Sequence, residues 1–155
     1  VGPGQEPPFV VPEFAVQLAR ISAGELEPVV AVGNLEVKRD FTDVRDGVRA
    51  FRMLMDLDAP GAAYNVASGE GIRIGGLLDW IIDEAGVEVE IEVTSSRVRR
   101  EELDIVVGDS TRLREATGWT PGHDIEASVR ETYRWMKGRF VNTINDNPVV
   151  RARKT

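Results

Sequence analysis

The chain contains no cysteine in its 155 residues. That absence removes disulfide bonds, thiolate metal sites and a cysteine nucleophile together. A single histidine, His123, stands in the turn Pro121-Gly122-His123-Asp124, so a histidine-rich metal centre is excluded and a turn or capping role is expected. No apolar run approaches the roughly 20 residues that span a bilayer. The opening VGPGQEPP also lacks the basic start and apolar centre of a signal peptide. A cytoplasmic protein without membrane contact is expected. Positive charge is in deficit: 19 Lys and Arg against 26 Asp and Glu leave a formal net charge of -7. With no aromatic residues interleaved among the basic ones, a nucleic-acid partner is not expected.

What is present suffices for one packed domain, because 42% of the residues are hydrophobic. Pro12 opens a first helix with Phe14, Leu18 and Ile21 at helical spacing, and Gly24 ends it. Val29 to Val32 and Val37 to Thr42 read as extended. Asp43 caps a second helix whose inner face is expected to be Val44, Val48, Phe51 and Met55. Ala63 to Ala67 read as a buried strand. Ile74, Leu77, Leu78, Ile81, Ile82 and Ala85 then form the strongest amphipathic helix, stopped by Gly86. Glu88 to Val93 alternate acid with aliphatic as a half-exposed strand. A short helix capped by Asp109 or Ser110 ends at Gly118, and Ile125, Val129, Tyr133 and Met136 mark a last helix. The mixture of elements, without an internal repeat, indicates an α/β or α+β class. Residues 141–155 show no amphipathic period and are expected to be a disordered tail.

The segment Gly33 to Asp46, GNLEVKRDFTDVRD, places Arg39 after an extended run and Asp43 at a helix start. A guanidinium can fork onto two oxygens of one phosphate, so Arg39 together with the cluster Arg97 to Glu102 suits a diphosphate. A solvated, charge-balanced loop would show the same cluster. Two other motifs point to chemistry and are better read as structure. Gly69, Gly71 and Gly75 mimic a dinucleotide-binding turn, but their spacing has one residue too many and Glu70 would put a negative charge in the anion cradle. Tyr133 and Lys137 stand four apart, as in a dehydrogenase acid-base pair. Tyr133 nonetheless shares an apolar face with Val129 and Met136, which places it in the core. Ser68 and Ser128 have no histidine at motif spacing.

The pieces VGPGQEPPFVVPEF, VGNLEVKRDFTDVRD, YNVASG, RVRREELDIVVGD and ATGWTP, in that order, resemble the C-terminal half of extended short-chain dehydrogenases of the NAD-dependent epimerase/dehydratase family. The members they are similar to act on GDP-mannose derivatives: GDP-6-deoxy-4-keto-mannose reductase and GDP-mannose 4,6-dehydratase. The resemblance implies an α/β chain with late Rossmann-sheet strands and a small substrate-binding domain over residues 1–140. It also implies that the cofactor-binding half, with the catalytic tyrosine and lysine, is absent from the sequence, so no catalytic residue is assigned. By the same resemblance Arg39 and Arg99 would bind a diphosphate from two sides, and Glu102 would accept ribose hydroxyls or orient an arginine. Val10 would approach the base or ribose through backbone groups, Asn34 would join the substrate site, and Gly2 and Pro3 would lie near the nicotinamide. NADP or NAD is the implied cofactor of the whole enzyme, with none expected to bind this chain tightly alone. A GDP-sugar is the implied ligand, and a homo-oligomer or the missing half the implied partner. Proline is common in the family at the position of Arg100, and the dehydratases usually differ at Asp43 to Asp46, which favours the reductase. The dehydratase and a non-catalytic nucleotide-sugar-binding module are the alternatives.

Overall fold

The computed structural model describes residues 1–57, 61–94 and 102–146, with side chains as far as Arg139. Helical periodicity builds its main core from three helices. α1 (Val10–Ser22), α3 (Ile74–Ala85) and α5 (Ile125–Asp146) meet through Val11, Phe14 and Leu18, through Leu77, Leu78 and Ile81, and through Val129, Tyr133 and Met136. Each such aliphatic side chain taken out of water contributes about 1.5–3 kcal/mol. Pro12 lies within the first turn of α1, where a missing N–H costs nothing because the first intrahelical bond is donated by Glu13 to Phe9 O. Gly86, at φ 66°, ends α3 in the left-handed conformation expected of it.

Two small sheets flank this core. β1 (Val29–Val32) pairs in parallel with β4 (Glu90–Val93), and Val30 and Val32 point from β1 into the helices. β2 (Lys38–Asp40) lies between β3 (Gly71–Arg73), antiparallel, and β5 (Ile105–Val106), parallel. Helices and parallel pairs together make a mixed α/β fold, as the sequence indicated. A second apolar cluster joins α2 (Val44–Met55) to α4 (Thr111–Thr117) around Ala50, Leu113 and Trp119, with Met53, Leu54, Tyr64 and Val66 packed on it.

Several expectations are revised. Residues 63–67 join no ladder among the described residues, since a strand exists only through a paired neighbour, although Tyr64 and Val66 turn inward as one strand face would. The stripe Val44, Val48, Phe51 and Met55 is the outer face of α2, 49%, 60%, 61% and 85% exposed. α2 carries a second apolar face, Ala50, Met53 and Leu54, and the chain packs that one. β4 is exposed at all four positions because it pairs only with β1. α5 extends to Asp146, into the segment 141–155 expected to be a disordered tail, of which 147–155 lie outside the described residues. A docked helix propagates at one hydrogen bond per added residue, so it needs no apolar period at its end.

Three aspartates spaced by three residues hold these parts together. Asp40 accepts from the Ser68 N–H and hydroxyl and from the Gly69 and Gly108 amides, at 2.6–3.2 Å. Asp43 caps α2 through Arg45 N–H, accepts two bonds from the Arg45 guanidinium, and accepts from Ser128 Oγ on α5. Asp46, 1% exposed, accepts from Arg49 Nη2 and from the Gly122 and His123 amides, and Nδ1 of His123 lies 3.2 Å from it. Gly108 sits so close to Ala67 that a Cβ there would lie 2.4 Å from the alanine methyl, which leaves room only for glycine.

Burial opposes the charge of both Asp43 and Asp46, but the donors around them outweigh it. Asp43 is held far below the usual carboxylate range and Asp46 at about 2. Because the folded value of Asp46 lies below the unfolded one of about 3.9, its contribution is full above pH ~4 and fades as pH falls toward ~2. Urea unfolding across that window should show stability declining with acid. Asp46→Ala, which strands the Gly122 and His123 amides, should cost about 2–4 kcal/mol at neutral pH in the same measurement.

Candidate functional site

Where α1 begins and β2 ends, the chain encloses a cavity of about 470 Å³ lined by Pro8, Phe9, Val10, Glu13, Phe14, Gly33, Asn34, Val37, Arg39, Phe41, Ile74 and Glu102. Its size is that of small-molecule sites, about 300–1,000 Å³. Each wall has a local cause. Strand alternation turns Val37 inward to the core and leaves Arg39, two residues on, in the middle of a three-stranded sheet beside β5. The Asn34 side chain accepts from the Glu36 amide, which fixes the turn between β1 and β2. Phe9 is the N-cap of α1 and remains 60% exposed at the rim.

Arg39 is held, not loose. Its Nη1 donates to Lys38 O and Leu103 O at 2.8 and 2.9 Å, and its Nη2 to Glu102 Oε1 at 3.1 Å. A guanidinium has five N–H donors, so Nε–H and one Nη2–H have no partner among the described residues. Glu102 thereby acts as the orienting group for Arg39. Such a fixed, partly occupied fork is suited to a planar or tetrahedral oxyanion.

Four of the residues expected at a ligand site, Val10, Asn34, Arg39 and Glu102, therefore meet at one cavity from three separate parts of the chain. Arg99 and its neighbours in 95–101 lie outside the described residues. Gly2 and Pro3 are not among the lining residues. Val1 instead meets the start of α2: its carbonyl O accepts from Val44 N–H and its N donates to Thr42 O. Reading by charge missed Phe14 and Phe41. Phe14 looked like core because it is core as well as lining, while the place of Phe41 two residues after Arg39 was the available signal.

The discounted motifs behave as structure. The amides at the glycine turn of Ser68 and Gly69 are already taken by the Asp40 carboxylate, so this turn does not fit a dinucleotide pyrophosphate. Tyr133 is 1% exposed, its hydroxyl lies 3.1 Å from Ser22 Oγ, and Lys137 Nζ stands over its ring, 5.6 Å from the centroid, not at the hydroxyl. His123 is a turn residue bound to Asp46. A larger cavity, about 830 Å³, lies between the 68–72 turn and the start of α5. Glu70, Asp109, Asp124 and Glu126 line it, and its arginine, Arg114, is engaged by Ser68 O and Ser110 Oγ. Of the expected ligand residues that are described, Val10, Asn34, Arg39 and Glu102 do not line it. Among the described residues no cluster of His, Cys, Asp and Glu could hold a metal ion, and no helix is long and apolar enough to cross a membrane.

Comparison with known proteins identifies the family and the fold type. The family model described as GDP-mannose 4,6 dehydratase matches residues 1–132. The chain belongs to this family. The GDP-6-deoxy-D-mannose reductase of Pseudomonas aeruginosa is 40% identical over 130 residues, which cover 84% of this chain and 43% of that protein. The GDP-mannose 4,6-dehydratase of Sinorhizobium fredii is 28% identical, with the same coverage of each. The solved structure of RMD from Pseudomonas aeruginosa complexed with NADPH superposes with a TM-score of 0.82 at 38% identity, covering 90% of this chain and 46% of that one. The chain thus spans less than half the length of the relatives it matches, and its α/β fold is a partial fold of the extended short-chain dehydrogenase type. Both oxidoreductases and lyases fall within the family's range.

If the Tyr133 hydroxyl serves only the core, Tyr133→Phe should lower stability by about 0.5–1.5 kcal/mol, one internal hydrogen bond. Thermal unfolding checks this, and a ligand titration of the variant should match that of the wild type.

Proposed function

We propose that this chain is the nucleotide-sugar-binding half of an NAD(P)-dependent reductase that transfers a hydride to the 4-keto carbon of a GDP-6-deoxyhexose. The observation that carries the reading is the meeting of Arg39, Glu102, Val10 and Asn34 at one 470 Å³ cavity. These residues come from three separate parts of the chain, and the family resemblance nominates all four. The higher identity to a reductase than to a dehydratase supports the same choice.

In this reading Arg39, held by Glu102, forks onto the diphosphate, and Arg99 contributes a second cation. Asn34 and the start of α1 receive the nucleoside, with Phe9 and Phe41 as apolar walls. The chain's part in the reaction is to bind and orient: anchoring a remote diphosphate fixes the sugar ring before any bond changes. NADP or NAD supplies the hydride when bound, and its binding belongs to a cofactor-binding half, since the one glycine turn resembling such a site is filled by Asp40.

Calorimetry on the isolated chain tests the proposal. GDP and GDP-mannose should bind and NADPH should not. Arg39→Ala and Arg99→Ala should each weaken GDP by about 10- to 100-fold, the value of one or two charged hydrogen bonds. Tight NADPH binding that survives both substitutions would overturn the assignment.

A further inference from the structure

Two carboxylates, Glu102 and Glu13, line the cavity of about 470 Å³. Glu102 orients Arg39 and so belongs with the anion-binding fork. Glu13 comes from the first turn of α1, on a firmly held part of the chain. Its neighbours Pro12 and Phe14 are buried, and its N–H donates to Phe9 O at 2.9 Å. One turn further on, Gln17 ties α1 to β1 by donating to Ala31 O and accepting from Ala31 N–H. Glu13 is thus a half-buried carboxylate on a rigid mount at the cavity wall.

A carboxylate can only accept hydrogen bonds. Phosphate oxygens also only accept, so beside a diphosphate Glu13 would gain nothing. It suits a neutral part of the ligand that carries N–H donors. The start of α1 offers the opposite polarity a few residues away. Phe9 is an N-cap without a side-chain acceptor, so the amide of Val10, itself a lining residue, is a first-turn donor that no capping side chain takes up. One turn of helix therefore brings a backbone donor and a side-chain acceptor to the same cavity.

Among the common nucleobases this pattern selects one edge. Guanine carries its carbonyl O6 next to two adjacent donors, N1–H and the 2-amino group, and a carboxylate can take both donors as a forked pair. Uracil and thymine have one N–H between two carbonyls, which would face the carboxylate oxygens. Adenine and cytosine place an amino group beside a lone-pair nitrogen. A site built to accept two N–H groups rejects bases that lack them, because the mismatch leaves desolvated polar groups unpaired.

We propose that Glu13 is the residue that selects guanine, accepting from N1–H and the 2-amino group of the base while Arg39 holds the diphosphate. The inference rests on reading this cavity as a nucleotide-sugar site, and it names the group that decides which nucleotide enters.

Calorimetry comparing GDP with IDP tests it, since IDP keeps O6 and N1–H and lacks only the 2-amino group. The wild-type chain should bind GDP about tenfold or more tighter than IDP, the value of one charge-assisted hydrogen bond, and ADP and UDP more weakly still. Glu13→Ala should erase the difference between GDP and IDP. Glu13→Gln keeps the side-chain shape and one acceptor but turns an amino group toward the base, so it should narrow the difference. Thermal unfolding checks that both variants fold, and Glu13→Gln decides alone if Glu13→Ala does not. Arg39→Ala should weaken GDP and IDP alike and leave the difference between them in place. A wild type that binds GDP and IDP equally, or a preference that survives the Glu13 substitutions, overturns the inference while the ligand site stands. A chain that binds no GDP overturns the ligand site and this inference together.

Discussion

Carboxylates at Asp40, Asp43 and Asp46 are the fastening on which the rest of this small fold depends. Each sits at the junction of two or more elements and is surrounded by N–H and O–H donors, so each turns a loop or helix start into a fixed hinge. Without Asp40 the 68–69 turn and Gly108 have no common acceptor. Without Asp43 and Asp46, α2 loses its cap and its ties to α5 and to the 120–124 turn. Charge burial is expensive unless donors satisfy it, and backbone amides, a hydroxyl and arginines supply enough of them to keep Asp43 and Asp46 ionised.

The same segment that carries these acids carries Arg39, which explains why the candidate site is stiff. β2 is pinned at one end by Asp40 and continues directly into the capped start of α2, and its arginine is held by Glu102 and two carbonyls. A guanidinium fixed in advance loses little freedom when an anion arrives. The apolar wall of Phe9, Phe14 and Phe41 completes a cavity with a charged side and an apolar side.

Much of this was legible residue by residue. α1, α3 and α5 followed from apolar spacing with capping or stopping residues, because a helix that packs on one side writes its period into the chain. Arg39 and Glu102 were legible through chemistry and family likeness. Harder to read was which of two apolar faces of α2 would be used: Val44, Val48, Phe51 and Met55 make as good a stripe as Ala50, Met53 and Leu54. Periodicity identifies a face but not its partner. The segment 63–67 failed as a strand for a related reason, since a ladder depends on a neighbour that local sequence does not contain. The lining role of Phe14 was hidden because one side chain serves both core and cavity.

By itself the sequence determined the local matters: which stretches coil or extend, where glycine must stop a helix, that cysteine chemistry and a histidine-rich metal centre are closed to the chain, and which charged groups could meet an anion. These depend on neighbours within a few residues. Tertiary structure alone decided that the Gly69 turn serves Asp40 and not a nucleotide, that Tyr133 is closed off against Ser22, and that Arg39 meets Glu102 across 63 positions of chain. It also decided that α2 leaves its larger apolar stripe outward. Those outcomes depend on which distant groups arrive at the same place, and burial and hydrogen bonding are settled only there.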